Sequence, residues 1–373
     1  ARVTGGGSLW SNCGALTVGS NAQLVVDNGG RLAAAGALTV NTYGSAPYSL
    51  VVSNSGQVSW SSVLNIGNAS SGNKVLITGG SVLKGPDSIS GFDGFVGNPA
   101  TTNNTLTITD GGIFTNCDYF QPRGVGNSVV VSNGGKCYAS MLYMSGSDAA
   151  ASVVGGNGVV SLVRMGAYGL TLYDSGNVLT VDGAGYAGSA MVTNPTQITV
   201  GSIGSFNRLT VTNQGVVQTS GRLTVSGAAS TRSNVVAVVQ GGQLRVVGLT
   251  MGAGRFNTAS VTDTGSVWNL GNANCDIGST GNTVWVSNGG VLNSVGGTFT
   301  ITGTNSGLSV LSGGKAYMRG AFTIGNSALA ASNYVSVSGS DSLWDLAGAN
   351  LTIGVAAGTA FSNTLTIDQG STV

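Results

Sequence analysis

The sequence predicts an all-β fold, a parallel β-solenoid of about 15 coils with a mean period of about 24 residues. Three observations point there. One segment recurs along the whole chain, apolar and polar residues alternate within it, and the charge inventory contains neither glutamate nor histidine.

The recurrence is direct. Residues 104–114 read NTLTITDGGIF, 127–137 read NSVVVSNGGKC, 234–244 read NVVAVVQGGQL and 282–292 read NTVWVSNGGVL. Each copy is an Asn, an alternating stretch, a Gly-Gly turn and an apolar residue. Anchoring every copy at its second glycine places anchors at 7, 30, 56, 81, 112, 135, 157, 176, 196, 215, 242, 265, 290, 314, 341 and 371. Ser81, Asn157, Thr196, Asp341 and Ser371 stand there without the glycine. Residues 1–373 read as one continuous solenoid, with shorter, less regular coils expected over 140–205.

The positions six before, four before and two after an anchor are apolar. Examples are Leu24, Val26 and Leu32; Leu106, Ile108 and Phe114; Val129, Val131 and Cys137; Leu209, Val211 and Val217; Val236, Val238 and Leu244; Val284, Val286 and Leu292; and Val335, Val337 and Leu343. Such alternation means that one face of a strand is buried. A second strand recurs upstream as Leu16-Thr-Val-Gly19, Leu64-Asn-Ile-Gly67, Ile198-Thr-Val-Gly201, Phe322-Thr-Ile-Gly325 and Leu351-Thr-Ile-Gly354. One repeat cannot bury its apolar face alone, so copies stack in parallel. The usual crossover preference makes the helix right-handed, and a coil spacing of about 4.8 Å gives a rod roughly 70 Å long.

Asn stands eight residues before the anchor at Asn73, Asn104, Asn127, Asn207, Asn234, Asn257, Asn282, Asn333 and Asn363. Stacking brings these above one another at a corner, where Asn tolerates left-handed backbone and its amide reaches the next coil. This predicts a structural Asn ladder. Length variation concentrates beside it, at 67–73, 97–104, 278–282 and 354–363. One edge of the solenoid therefore carries the insertions, either as a binding face or as tolerated surface loops.

Composition excludes several classes. Only 7% of residues are charged, against roughly 25% in typical soluble proteins. The 63 glycines follow no strict triplet, so the chain is not collagen. A mean hydropathy of +0.26 argues against disorder. The formal net charge is +1 without a basic cluster, which argues against nucleic acid and acidic lipid as partners. No apolar run approaches 18 residues, so membrane insertion by a helix is not expected.

The same inventory limits chemistry. Without histidine there is no imidazole triad and no His-containing zinc site. All 13 acidic residues are Asp, and the sequence-near pairs Asp87/Asp93, Asp110/Asp118, Asp174/Asp182 and Asp341/Asp345 fall in or beside turns. No cofactor, metal or phosphate-loop signature stands out, and the expectation is a protein that is not an enzyme. Cys13, Cys117, Cys137 and Cys275 read as small buried hydrophobes; Cys117 and Cys137, about one coil apart, are alternatively a bridge between coils. Aromatics follow anchors by three at Trp10, Tyr138, Trp268, Tyr317 and Trp344. Of these, Trp268, Tyr317 and Trp344 form either a strip that receives sugar rings or a neighbouring rod, or plain corner packing.

GSVWNLGNANCDIGSTGNTVWVSNGGVL at 265–292 resembles the β-strand repeat of type V autotransporter passengers and PEP-CTERM-associated bacterial surface proteins. GGSLWSNCGALTVGSNAQLVVDNGGRL at 6–32 and SDSLWDLAGANLTIG at 340–354, followed by NTLTIDQGS at 363–371, repeat the pattern. The resemblance implies bacterial origin, secretion and an extracellular or cell-surface role.

The chain starts and stops in nearly the same phase of the repeat, without polar caps. Val3, Leu9 and Trp10 at one end and Leu365, Ile367 and Val373 at the other are therefore expected to form an end-to-end interface. The leading functional expectation is a structural protein that assembles with itself, head to tail, into a surface or matrix filament. The alternative is an adhesin passenger segment that binds glycans or host surfaces through the loop edge. A polysaccharide-active β-helix enzyme is the remote third.

Overall fold

The computed structural model describes residues 1–42, 47–86, 93–194, 196–327, 330–354 and 362–373. Asp87 and the loop stretch 355–361 lie outside the described residues. Among those described, every named element is a β-strand. The fold is a parallel β-solenoid of about 13 turns with a period of about 26 residues. The chain packs as two compact units, 1–171 with 176–195, and 172–175 with 196–373.

A full turn of the first unit consists of short strands such as Leu24–Asp27, Arg31–Ala34 and Leu38–Val40. The next turn repeats them as Leu50–Val52, Gln57–Trp60 and Leu64–Ile66. Counterparts pair in parallel: Val26 faces Val52, Leu32 faces Val58 and Leu38 faces Leu64. The row that precedes the turn continues through Lys74–Ile77, Thr105–Ile108, Ser128–Ser132, Ala150–Val154 and Val178–Asp182. In Ile113–Pro122, Lys136–Met144 and Ser161–Leu172 the two strands after the turn run on as one. In the second unit the same row is Arg208–Thr212, Val235–Val238, Thr258–Thr262, Thr283–Ser287, Gly307–Leu311, Tyr334–Ser338 and Thr364–Asp368.

The apolar columns read from the sequence form the cores. Leu106, Ile108 and Phe114 are buried in the first unit, and Val236, Val238, Leu244, Val284, Val286 and Leu292 in the second. Each such side chain contributes about 1.5–3 kcal/mol on burial. Aromatic rings fill the wider layers. Trp60 stacks on Phe114 with centroids 5.9 Å apart, and Phe299 stacks on Phe322 at 4.9 Å.

The Asn-Gly-Gly turn has a steric cause at each position. Asn28 and Gly29 sit at φ 50° and 77°, Asn133 and Gly134 at 44° and 80°, and Asn288 and Gly289 at 50° and 79°. Two successive left-handed residues are what an Asn-Gly pair tolerates. The second glycine then lies against the preceding coil. A Cβ at Gly30 would stand 2.5 Å from the Val3 carbonyl oxygen, and one at Gly290 would stand 2.6 Å from that of Val261. Where serine takes this place its hydroxyl is bonded. Ser81 Oγ donates to Val52 O at 2.7 Å, and Ser266 and Ser342 accept the Gly241 and Gly313 N–H groups at 3.0 Å.

These bonds move part of the repeat frame. Val267 N–H donates to Gly242 O and Leu343 N–H to Gly314 O, which places the anchors at Ser266 and Ser342 rather than 265 and 341. In the first unit Leu162 N–H donates to Gly135 O, and Ser161 faces Ala190, so Ser161 and Ala190 replace the three anchors read at Asn157, Gly176 and Thr196. The glycines at 155–158 belong instead to a small antiparallel bridge, Gly156 with Val159. Fewer, longer turns result. A one-residue slip reverses the face of every side chain that follows, and Leu343, read as inward, is half-exposed while Trp344 is buried.

Gly290→Ala is expected to destabilise the second unit by about 1–3 kcal/mol, because the methyl must push two coils apart. Gly296→Ala, whose Cβ would stand 3.8 Å from Asn272 Cβ, should stay within about 0.5 kcal/mol. Urea midpoints of the two variants check this; equal midpoints would remove the steric account of the turn.

Candidate functional site

The loop edge rests on the Asn ladder, and the ladder forms. In the first unit Asn104 Oδ1 accepts both the backbone N–H and the Nδ2 of Asn73, at 2.9 and 2.8 Å. Asn127 Oδ1 does the same for Asn104, at 2.9 Å each. In the second unit Asn207 bonds Asn234, Asn234 bonds Asn257 and Asn257 bonds Asn282, at 2.9–3.0 Å. Asn333 N–H reaches Asn363 Oδ1 at 3.1 Å. All of these except Asn363 are buried.

Two rungs were not legible. Ser306 stands between Asn282 and Asn333, accepting from the first on its hydroxyl and donating its N–H to the second, both at 3.1 Å. Asn177 accepts the Ala149 N–H at 3.0 Å and is fully buried. The displaced anchor at 176 hid it; placing the strand Val178–Asp182 would have exposed it.

The residue before each rung is left-handed. Asn103, Ser233, Asn305 and Ser332 have φ between 51° and 58°, and Gly72, Gly126 and Gly281 between 66° and 76°. Small or Asn residues suit that backbone. Two rungs break the rule: Phe206 has φ 62° and Phe256 has φ 55°. Their rings are 57% and 56% exposed. Both backbones are held, Phe206 N–H donating to Arg232 O at 3.0 Å and Phe256 N–H to Thr280 O at 2.9 Å. The Arg232 guanidinium lies 5.8 Å from the Phe206 ring centroid. Arg255 pairs with Arg232 across adjacent coils, and both side chains are exposed, as is Arg208. This corner of the second unit therefore presents aromatic rings among guanidinium groups.

Of the two readings of Trp268, Tyr317 and Trp344, the structure shows packing for the tryptophans and no strip. Trp268 and Trp344 face Leu292 and Ala316 inside the core and are fully buried, whereas Tyr317 faces Asn293 and Asp345 on the outer side. Trp268 and Trp344 follow the true anchors by two residues and Tyr317 by three, so strand pleat sends them to opposite faces. Tyr317 lines a groove of about 380 Å³ with Asn269, Asn293, Ser294, Val295 and Arg319.

The expected end residues are divided. Val3 is buried against Val26. Leu9 is 63% exposed and Ile367 is 49% exposed, with Trp10 and Val373 also exposed and Leu365 half-buried.

All four cysteines are free thiols: Cys13 is exposed, while Cys117, Cys137 and Cys275 are buried. Burial pushes the Cys137 thiol up to about 12 and the Cys275 thiol up to about 11. Among the described residues no group of three or more metal-ligating side chains comes together, and no helix is long and apolar enough to cross a membrane.

No family model matches the chain, and no curated protein matches it. A solved structure described as a TibC-catalyzed hyper-glycosylated TibA55-350 fragment is similar over 97% of this chain and 100% of its own. It shares 15% identity at a TM-score of 0.42.

The buried thiols set a pH dependence. Folded, Cys137 and Cys275 keep their protons well above the 9.0 of an ordinary thiol, whereas the unfolded chain ionises them there. Their contribution is complete below pH 9 and lost as pH rises from 9 toward 11–12, at about 1.4 kcal/mol per thiol and pH unit. Iodoacetamide at pH 8 should label Cys13 alone in the native protein and all four cysteines in urea. Native labelling of Cys137 would contradict the buried core.

Proposed function

We propose that this chain is a bacterial extracellular adhesin segment, not an enzyme. In this reading the solenoid is scaffold and the loop edge of the second unit binds surface glycans. The observation that carries the reading is the pair of exposed Phe206 and Phe256 at backbone positions that disfavour them. A bulky residue held left-handed costs on the order of 1 kcal/mol or more, and although the Phe256 ring covers Gly281 and the Phe206 ring meets Arg232, both residues stay more than half exposed. Rings flanked by Arg208, Arg232 and Arg255 suit an acidic saccharide, with sugar C–H faces on the phenyl groups and carboxylate or sulfate on the guanidiniums. Low charge elsewhere supports binding that is local rather than driven by net charge.

Phe206→Asn with Phe256→Asn restores the residue type of the neighbouring rungs. The double variant should unfold at higher urea, by about 0.5–1 kcal/mol, and lose at least tenfold in affinity for uronate- or sulfate-bearing glycans on an array. Wild-type binding should also weaken as salt is raised. Greater stability with unchanged binding would sink the loop-edge reading.

A second reading is head-to-tail self-assembly into a filament. It draws on the exposed Leu9 and Trp10 in the first unit and Ile367 in the second, whose apolar surface a further coil would cover. Another copy or a continuation of the same polypeptide supplies that coil equally. Electron microscopy over a concentration series separates them. Fibres that vanish in Ile367→Lys support assembly, and monodisperse particles at every concentration overturn it.

A further inference from the structure

The central outward position of the third strand is a threonine column at the start of the first unit and through most of the second. Thr17 faces Thr39 in the first, and Thr199, Thr224 and Thr250 face one another in the second, as do Thr300, Thr323 and Thr352. In the middle of the first unit the column changes to Asn65, Phe95 and Gln121 on successive coils. The column continues to Tyr143, and the position two residues earlier holds Asp93 and then Tyr119. Folding does not require this, since threonine serves the same backbone elsewhere.

The large side chains are organised. The Tyr119 and Tyr168 rings stack with centroids 5.6 Å apart and planes 22° from parallel, and Tyr143 meets Tyr119 edge-on at 6.4 Å. Tyr168 is 51% exposed. The Arg123 guanidinium covers Phe95 at 4.0 Å and is fixed by Gln121 Oε1 at 2.6 Å and Ser145 Oγ at 3.2 Å. Asp93 accepts the Tyr119 backbone N–H, and burial raises its carboxyl above the ordinary range, with Asp118 close enough to add to the shift.

Beside the tyrosines the strand register shifts between Phe114 and Cys117, with Asn116 at φ 60°. The bulge opens a groove of about 230 Å³ whose walls include Asn116, Tyr138, Ser140 and the exposed Arg164. Bulges of this kind commonly re-aim side chains at binding sites. The groove is smaller than the roughly 300–1,000 Å³ of pockets for drug-sized ligands, so it accommodates one ring of a chain that otherwise lies on the surface.

We infer that this face of the first unit binds a neutral hexose oligosaccharide, with one ring stacked on the Tyr168–Tyr119 pair and the next in the Asn116–Arg164 groove. Aromatic faces take the apolar side of a pyranose. Asp93 accepts a hydroxyl hydrogen, and its negative charge, with that of the buried Asp118 nearby, disfavours acidic sugars, which distinguishes this face from the arginine-rich corner of the second unit.

The test is calorimetric titration of the full chain with maltotetraose, cellotetraose and mannotetraose, with tetragalacturonate as the acidic comparison. At least one neutral tetramer should bind, and Tyr168→Ala should weaken it about tenfold or more while Tyr168→Phe stays within about threefold. Tyr168 is half exposed, so the loss should come with a fall in melting temperature of no more than a few degrees, from the lost stacking on Tyr119. Phe206→Asn with Phe256→Asn should leave this binding intact, which separates it from the loop edge. No binding of any neutral tetramer, equal binding by Tyr168→Ala, or preference for tetragalacturonate each overturns the inference.

Discussion

Every coil must repeat at the spacing of hydrogen-bonded strands, about 4.8 Å, and the corner is where that spacing is hardest to keep. There the backbone turns and its N–H groups lose their strand partners. The Asn amide resolves this by accepting the backbone N–H of the coil before it. Each such bond is worth about 1 kcal/mol net, and a buried N–H left without it costs about 1–3 kcal/mol. The amide needs room, and glycine provides it. A Cβ at Gly67, Gly97, Gly201 or Gly325 would fall on the side chain of Asn104, Asn127, Asn234 or Asn363, in each case the rung one coil beyond the Asn that follows the glycine. These glycines also sit at φ 75–80°. The glycine closing the Leu-Thr-Ile strand and the Asn opening the next are thus one device seen twice in the sequence.

The same spacing explains why glycine and serine alternate at the turn. Glycine fits against the preceding carbonyl because it has no side chain, and serine fits because its hydroxyl bonds into the neighbouring coil, as Ser81 does to Val52 O. Core size is balanced by the same stacking. Trp344 lies over Ala316, and Trp268 over Leu292, so a large ring in one coil is met by a smaller side chain in the next. The indole Nε1 atoms of Trp60, Trp268 and Trp344 find no acceptor there. Their ring burial is therefore partly offset by an unmet donor.

The fold was legible because a solenoid states its rule many times. Alternation fixed the inward columns, and Asn at a constant offset fixed the corner. Where the rule failed it failed for local reasons. The turns at Ser266 and Ser342 lie nine residues after their ladder Asn, against eight at Ser81 and at glycine turns such as Gly242, and a frame held to a constant offset slips there by one. That slip made Trp268, Tyr317 and Trp344 look like neighbours on one face. Over 140–205 the extra Gly156–Val159 bridge imitates a turn and hides Asn177. The candidate sites were less legible still. Arg232 meets Phe206 only through coil stacking, and Tyr119 meets Tyr168 across an intervening coil. No sequence spacing fixes such contacts until the register is known.

A repeat protein also carries its own controls. Each outward position is sampled by many coils with the same backbone, so the residue that folding alone requires can be read from the majority. By that measure Ser, Asn and Gly are sufficient before the ladder, and Thr is sufficient on the third strand. Phe206 and Phe256 depart from the first standard at a cost in backbone strain, and Phe95, Gln121 and Tyr143 depart from the second. Departures that destabilise or gain nothing for the scaffold, clustered on adjacent coils and exposed to solvent, are the mark of a surface shaped by what it touches. Phe206 and Phe256 are exposed on coils that flank the coil of Ser233, and on the other face Tyr168 is exposed beside half-buried Phe95 and Tyr143, whereas the tryptophans are buried and serve the core. The adhesive reading is accordingly placed on these two faces and not on the most aromatic part of the sequence.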